Sequence, residues 1–248
     1  MIFGKRDLKQ GDAIIVAYLA QDLKEIEDYK NGVDVHCVAA SYISGEDYQR
    51  IYDGYKNGDP KYKLMRRIAK PVKHGVNYRE GKATLRDSLL KDNIDISEKE
   101  CGRMIEHMRA ARPMMVNWQN ETEHEIRSKR LLTTPLGRQR RFTGKLSDDV
   151  IREGIAWVPA CTLAHVLNIG IDRVYKWIEE QENPNILDLL MNHHDAMQWQ
   201  SPIALIHEHA KLIGQFMQVS MTIHGRELII PSDLTIGKSW GEMKEAEE

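Results

Sequence analysis

The sequence predicts an α+β fold. Three observations carry this: capped stretches of helical spacing fill most of the chain, short apolar runs suited to strands are few and scattered, and the acids at the ends of two such runs, Asp7 and Glu208, lie far apart. A length of 248 residues allows one domain or two, and 42% hydrophobic with 29% charged content fits a soluble globular chain.

Met1–Leu8 reads as a strand with Asp7 at its exit. Gln10–Asp22 and Leu23–Lys30 follow as helices, closed by Gly32. Asp34 is placed to N-cap a helix over Val35–Ile43, and Glu46–Tyr55 forms another. Pro60 suits the first turn of a basic helix over Lys61–Gly81, with Pro71 predicting a kink or local break inside it. Lys82–Lys91 is a short helix. Ser97 starts a long one reaching about Arg130, with a break possible at Pro113. Leu131–Phe142 reads as a hairpin turning at Pro135–Gly137. A second long helix is expected over Pro159–Gln181, broken at Asn183–Asn185. Ile203–Ile206 reads as a strand leading to Glu208, with further strands at Leu228–Ile230 and Leu234–Ile236 and a solvated tail at Trp240–Glu248.

The formal net charge of −2 gives no argument for a polyanion partner, but clustering does. Basic residues concentrate at Lys61–Arg86 and Arg127–Lys145. In the first cluster Arg66, Lys70, His74 and Tyr78 recur at four-residue steps, which lines guanidinium, ammonium, imidazole and phenol along one helix face. Such a line can grip a polyphosphate and stack on a base, although a solvated basic face gives the same pattern. Three dispersed cysteines without a CxxC indicate reduced thiols. His193-His194 and His207-x-His209 lack the Cys pairs or HExxH spacing of a zinc site. No signal peptide and no apolar run long enough to span a bilayer is apparent, so a cytoplasmic protein without membrane contact is expected.

Taken in order, several segments resemble the polymerase domain of family A DNA polymerases, the group of bacterial DNA polymerase I and many phage replicases. Asp7-Leu8-Lys9-Gln10-Gly11-Asp12, with Asp34-Val35-His36 beyond it, resembles motif A, D-x-S-Q-x-E followed by D-x-H. Arg66-x3-Lys70-x3-His74-Gly75-x2-Tyr78 resembles motif B, R-x3-K-x3-[FYH]-G-x2-Y. Leu205-Ile206-His207-Glu208-His209 resembles motif C, normally V-H-D-E on a palm hairpin, and Thr134–Arg140 resembles the T-x2-G-R-x-R hairpin.

The resemblance implies an antiparallel palm sheet flanked by helices with a mainly helical fingers subdomain inserted: palm over 1–19, fingers over 20–145, palm again over 146–248. It implies DNA-directed DNA synthesis by a two-metal mechanism with two Mg2+ ions held by Asp7, Glu208 and the Leu8 carbonyl. Gln10, Asp12, His36, Arg66, Lys70, His74 and Tyr78 would bind the dNTP, Lys70 also acting as proton donor to pyrophosphate. Arg138, Arg152 and His207 would contact primer–template DNA. Only six residues precede Asp7, so thumb and exonuclease domains are not expected in this chain, which is read as either the C-terminal half of a split polymerase or a fragment. The expected arrangement is the C-terminal part of a split phage-type polymerase, in the host cytoplasm, whose N-terminal partner chain supplies the thumb and the rest of the palm. Glu208 and His209 depart from the V-H-D-E pattern, which leaves open a degenerate module that binds primer–template DNA without efficient chemistry.

Overall fold

The computed structural model describes residues 1–183 and 186–246. Pro184 and Asn185 of the expected break, and the last two residues of the expected tail, lie outside them. The chain runs β1 (Ile2–Leu8), α1 (Gly11–Leu19), α2 (Leu23–Lys30), α3 (Val35–Ser44), α4 (Tyr48–Lys56), α5 (Pro60–Asn77), α6 (Lys82–Lys91), α7 (Glu98–Ala111), α8 (Pro113–Lys129), β2 (Leu131–Thr133), β3 (Gln139–Arg141), α9 (Asp148–Glu179), β4 (Asp188–His193), β5 (Ala196–Ser201), α10 (Ile206–Met217), β6 (Met221–Ile223), β7 (Arg226–Leu228), β8 (Ser232–Gly237) and β9 (Lys244–Glu245). The fold is α+β with antiparallel sheets. It divides into two compact units: Met1–Ile15, Thr133–Arg138 and Pro159–Glu248 in one, Val16–Leu132 and Gln139–Val158 in the other.

The first unit is built on a five-stranded sheet ordered β4-β5-β1-β8-β9, each neighbouring pair antiparallel. Side chains alternate faces along β1. Gly4, Arg6 and Leu8 are buried, while Lys5 and Asp7 are half-buried. Arg6 faces α10, where its Nε donates to the Ala210 carbonyl at 2.9 Å and its guanidinium fills the space beside Gly214. Gly4 pairs with Trp199, whose fully buried indole lies where a Cβ on Gly4 would stand, 2.3 Å from its nearest ring atom.

The second unit is mainly helical, around a core that includes Ile51, Leu85, Leu89, Met108, Met115, Ile126 and Ile155. Side chains of Asp22, Asp34, Asp47, Asp59 and Ser97 each accept a backbone N–H at a helix start. Caps of this kind contribute about 1 kcal/mol each.

Several expectations are corrected. Pro71 does not break α5, which runs unbroken from Pro60 to Asn77. Burial of Ala69, Val72 and Val76 on either side outweighs the lost backbone bond. The break allowed at Pro113 does occur: the helical stretch from Ser97 is two helices meeting at Arg112. The second long helix begins at Asp148 rather than Pro159, because Ser147 caps it, acids fill its first turn, and Ile151, Ile155 and Val158 are buried. Ile203–Ile206 is not a strand: Ile203–Leu205 is a 3-10 turn and Ile206 opens α10. Conversely β4, β5, β6 and β9 arise where no strand was expected, β9 pairing with β8 inside the expected tail. Finally, α9 is long and apolar enough to cross a bilayer by length and composition, because 154–171 carries no Asp, Glu, Lys or Arg. Half of its apolar window is buried inside the protein, as in a core helix.

Candidate active site

In the sheet unit Asp7 is the next-to-last residue of β1. Its Cα partners are Ala196 on β5 and Asp233 on β8. Asp195 immediately precedes Ala196, in the two-residue turn that joins β4 to β5, with His194 at φ 55°. The Leu8 N–H donates to the Asp195 carbonyl at 3.0 Å, fixing this turn against the exit of β1. Burial, and then the negative charge of Asp7, holds the Asp195 carboxyl above the usual carboxylate range. Lys5, on the same face as Asp7, places its Nζ 2.8 Å from the carboxylate. The chain then turns sharply: the Lys9 N–H donates to the Pro231 carbonyl at 2.8 Å, Gln10 is exposed at φ 51°, and Asp12 enters the first turn of α1. Strained backbone of this kind gathers at functional sites.

Glu208 does not join this pair. It is exposed in the first turn of α10. That helix packs on the Arg6 face of the sheet, whereas Asp7 points to the opposite face. His207 beside it is likewise exposed, and Arg138 is exposed in the turn of the β2–β3 hairpin. Asp195 is a residue that sequence reasoning missed. Its signal was available, since His194-Asp195 sits between Leu187–Met191 and Ala196–Trp199 and retains the His-Asp pair that Ile206-His207-Glu208 lacks.

In the helical unit Arg66 is half-buried, Lys70 and His74 are exposed, and Tyr78 caps the end of α5. The rings of His74 and Tyr78 meet edge-on with centroids 5.2 Å apart. Asp34 does two jobs. One oxygen caps α3, accepting from the N–H groups of His36 at 3.1 Å and Cys37 at 3.0 Å, and the other accepts from Arg66 Nε at 2.8 Å. Burial pushes Asp34 up, but the Cys37 N–H and the Arg66 guanidinium outweigh it and hold the carboxyl below its ordinary value. The Arg66 guanidinium also lies 4.6 Å from the centre of the Tyr55 ring.

Burial, with the charges of Arg66, Lys73 and Lys70, holds the His36 imidazole at a pKa of about 4. It is therefore neutral at pH 7, among three cations. Lys70 makes no ion pair with a carboxylate among the described residues. Arg152, on α9 in this unit, is exposed and pairs with Asp149 one turn earlier.

These are two charged surfaces. A carboxylate at the end of β1 and another in the adjoining β4–β5 turn offer hard oxygen donors to a divalent cation, and the Asp195 carboxyl is raised first by burial and then by the charge of Asp7. No cluster of three or more potential metal-ligating side chains occurs among the described residues. The cationic stripe suits a polyphosphate.

The sequence model of DNA polymerase family A matches residues 1–242. DNA polymerase I of Treponema pallidum is 24% identical over 247 residues, which is 95% of this chain and 22% of that protein. DNA polymerase I of Geobacillus stearothermophilus is 24% identical over 96% of this chain and 26% of its own length, and DNA polymerase theta of Drosophila melanogaster 24% identical over 96% and 11%. The chain thus spans about a quarter of the length of the bacterial relatives. Among solved structures, the polymerase domain of Pol1 from M. smegmatis, in complex with DNA primer-template and dNTP, superposes with a TM-score of 0.74 at 18% identity, over 97% of this chain and 40% of that one. The chain belongs to DNA polymerase family A.

Proposed function

We propose that this chain is the palm and fingers portion of a DNA-directed DNA polymerase, extending a primer 3′-hydroxyl with deoxynucleoside monophosphate from a dNTP. The observation that carries the reading is the juxtaposition of Asp7 with Asp195 across the β1–β5 strand exit. On this reading the sheet unit is palm and the helical unit is fingers. Asp7, Asp195 and the Leu8 carbonyl would hold two Mg2+ ions, which when bound stabilise the attacking and leaving oxygens of an in-line displacement. In that reaction the 3′-hydroxyl gives its proton to solvent as its oxygen bonds to the α-phosphorus, and the bond from that phosphorus to the oxygen bridging to the β-phosphate breaks, releasing pyrophosphate.

The residues of α5 serve the other end of the nucleotide. Arg66, already oriented by Asp34, offers its remaining N–H groups to the triphosphate. Lys70 meets the charge developing on the departing pyrophosphate and gives it a proton. Neutral His36 donates or accepts a hydrogen bond without adding charge. His74 and Tyr78 present flat rings to the base, Gln10 and Asp12 stand by the sugar, and Arg138 and Arg152 remain candidates for the DNA backbone, being exposed, whereas His207 sits with Glu208 on the face opposite Asp7. With Asp195 in the metal role, a degenerate module loses its main support, which rested on Glu208.

A partner supplying the thumb and the rest of the palm belongs to this reading. The edge strand β4 exposes Leu190 and Met191, which supports a covering chain there. The test is primer extension with Mg2+ and dNTPs, by the chain alone and with an added exonuclease–thumb fragment. Extension lost in Asp7→Asn and in Asp195→Asn, but kept in Glu208→Gln, is the expected result. Extension that survives Asp195→Asn overturns the metal assignment.

A further inference from the structure

Behind the cationic stripe of α5 lies a buried polar cluster that the reading above does not use. Lys73 is 5% exposed, and its Nζ donates to Glu25 Oε1 at 2.5 Å and to the Tyr29 hydroxyl at 2.9 Å. Arg112, 3% exposed, pairs with the other Glu25 oxygen and donates to Asn77 Oδ1 at 2.6 Å. Gln119 Nε2 donates to the carbonyls of Val76 and Asn77, each at 2.8 Å. Thus α2, the α7–α8 junction and α8 hold the last turns of α5 by directional bonds. Apolar packing limits how far a helix lies from its neighbours, while hydrogen bonds of fixed geometry also set its rotation.

The spacing gives that rotation a use. Lys73 lies seven residues beyond Arg66, nearly two turns along the same line, and three beyond Lys70, roughly 60° around the helix. Arg66–Asp34 and Lys73–Glu25 therefore tie one flank of α5 at two levels, and Lys70 stands between them. The charges do not cancel among the paired groups, because one carboxylate touches two cations, with Asp22 acting on Lys73 from beyond ion-pair distance. Apolar residues of similar volume generally fill such a site at no loss of stability, so stability alone does not call for buried ions.

We propose that Glu25, Lys73 and Arg112 are positioning residues for the nucleotide-binding face of α5, fixing its rotation and keeping a buried surplus of positive charge behind Lys70 and His36. The proposal rests on the reading of α5 as a dNTP-binding helix. Its test compares the wild-type chain, a triple variant (Glu25→Met, Lys73→Met, Arg112→Met) and Lys73→Arg, measuring dNTP KM and kcat in primer extension and the titration of His36 by NMR. In the folded triple variant KM rises about tenfold while kcat changes much less, and the His36 titration moves up from about 4 toward its ordinary value as a cation is lost nearby. Lys73→Arg keeps both near wild type.

A folded triple variant with unchanged KM and unchanged His36 titration overturns the proposal. If that variant does not fold, Lys73→Met takes its place in the same two measurements: a raised KM with an upward His36 titration supports the proposal, and no change in either overturns it. Failure of the dNTP-helix reading shows separately, as wild-type chain that neither extends a primer nor loses nucleotide binding on Lys70→Ala. The His36 titration then still decides whether the cluster sets the charge behind this face.

Discussion

The two charged surfaces are assembled by opposite means. On the sheet, Asp7 and Asp195 are held by backbone hydrogen bonds of the β1–β5 pair and the Leu8–Asp195 bond, and Lys5, paired with Asp7, offsets only one of their two charges. On the helix, cations are held by carboxylate side chains, Arg66 by Asp34 and Lys73 by Glu25, which serves Arg112 as well, with both carboxyls held below their ordinary range. The sheet leaves a charge imbalance for a bound cation to relieve. The helix supplies counterions to Arg66 and Lys73, while Lys70 makes no ion pair with a carboxylate among the described residues. Removing an acid from the sheet should therefore cost function and spare the fold, whereas removing a paired cation from the helix should cost both.

The largest effect expected on this contrast is in Asp7→Asn and Asp195→Asn, each lowering the incorporation rate by at least about 10²-fold in primer extension. Next is Lys70→Ala, expected to lower kcat/KM by roughly 10–10²-fold with little change in melting temperature, since this lysine pairs with no acid among the described residues. Arg66→Ala, by contrast, should lower both activity and thermal stability, because it leaves Asp34 without its guanidinium. Equal melting temperatures for the Lys70 and Arg66 variants would break the comparison.

Smaller effects sharpen it. His36 has a folded pKa of about 4 against 6.5 ordinarily, so between these values the unfolded chain binds more protons. Stability is then full above about pH 6.5 and falls as pH falls toward 4. His36→Asn should flatten part of that loss in urea titrations across the window. The Asp195 carboxyl is shifted the other way, so its ionised form costs stability once pH exceeds the ordinary carboxylate range. Asp195→Asn, inactive in extension, should thus melt at a higher temperature than the wild-type chain at pH 7 by calorimetry. Glu208→Gln should change neither incorporation nor melting, and a loss of activity there would restore the acid on α10 to the site.

How legible each surface was follows from how it is built. The stripe Arg66, Lys70, His74, Tyr78 could be read directly because a helix turns sequence spacing into a face, and the caps Asp34 and Asp59 carry local signals. Asp7 was legible as the acid leaving a strand. Asp195 carried a signal in the His194-Asp195 pair but was passed over, because β5 is buried on both faces, with Gln198 as inaccessible as Met197, so the alternation that marks a strand disappears. The apolar run Ile203–Ile206 drew the strand assignment instead, although its residues open a helix. The Glu25–Lys73–Arg112 cluster joins residues 48 and 87 positions apart, a relation that only tertiary packing creates.

The indole of Trp199 across Gly4 gives the carboxylate pair an optical reporter. Trp199 is fully buried in the same strand pairing that sets Asp7 against the Asp195 turn, so its emission changes when β1 leaves β5. In a chain whose other tryptophans are replaced by phenylalanine, one fluorescence signal would time the zipping of the acid-bearing strands apart from the folding of the helices. A lost catalytic geometry could then be told from a lost fold in a single stopped-flow trace.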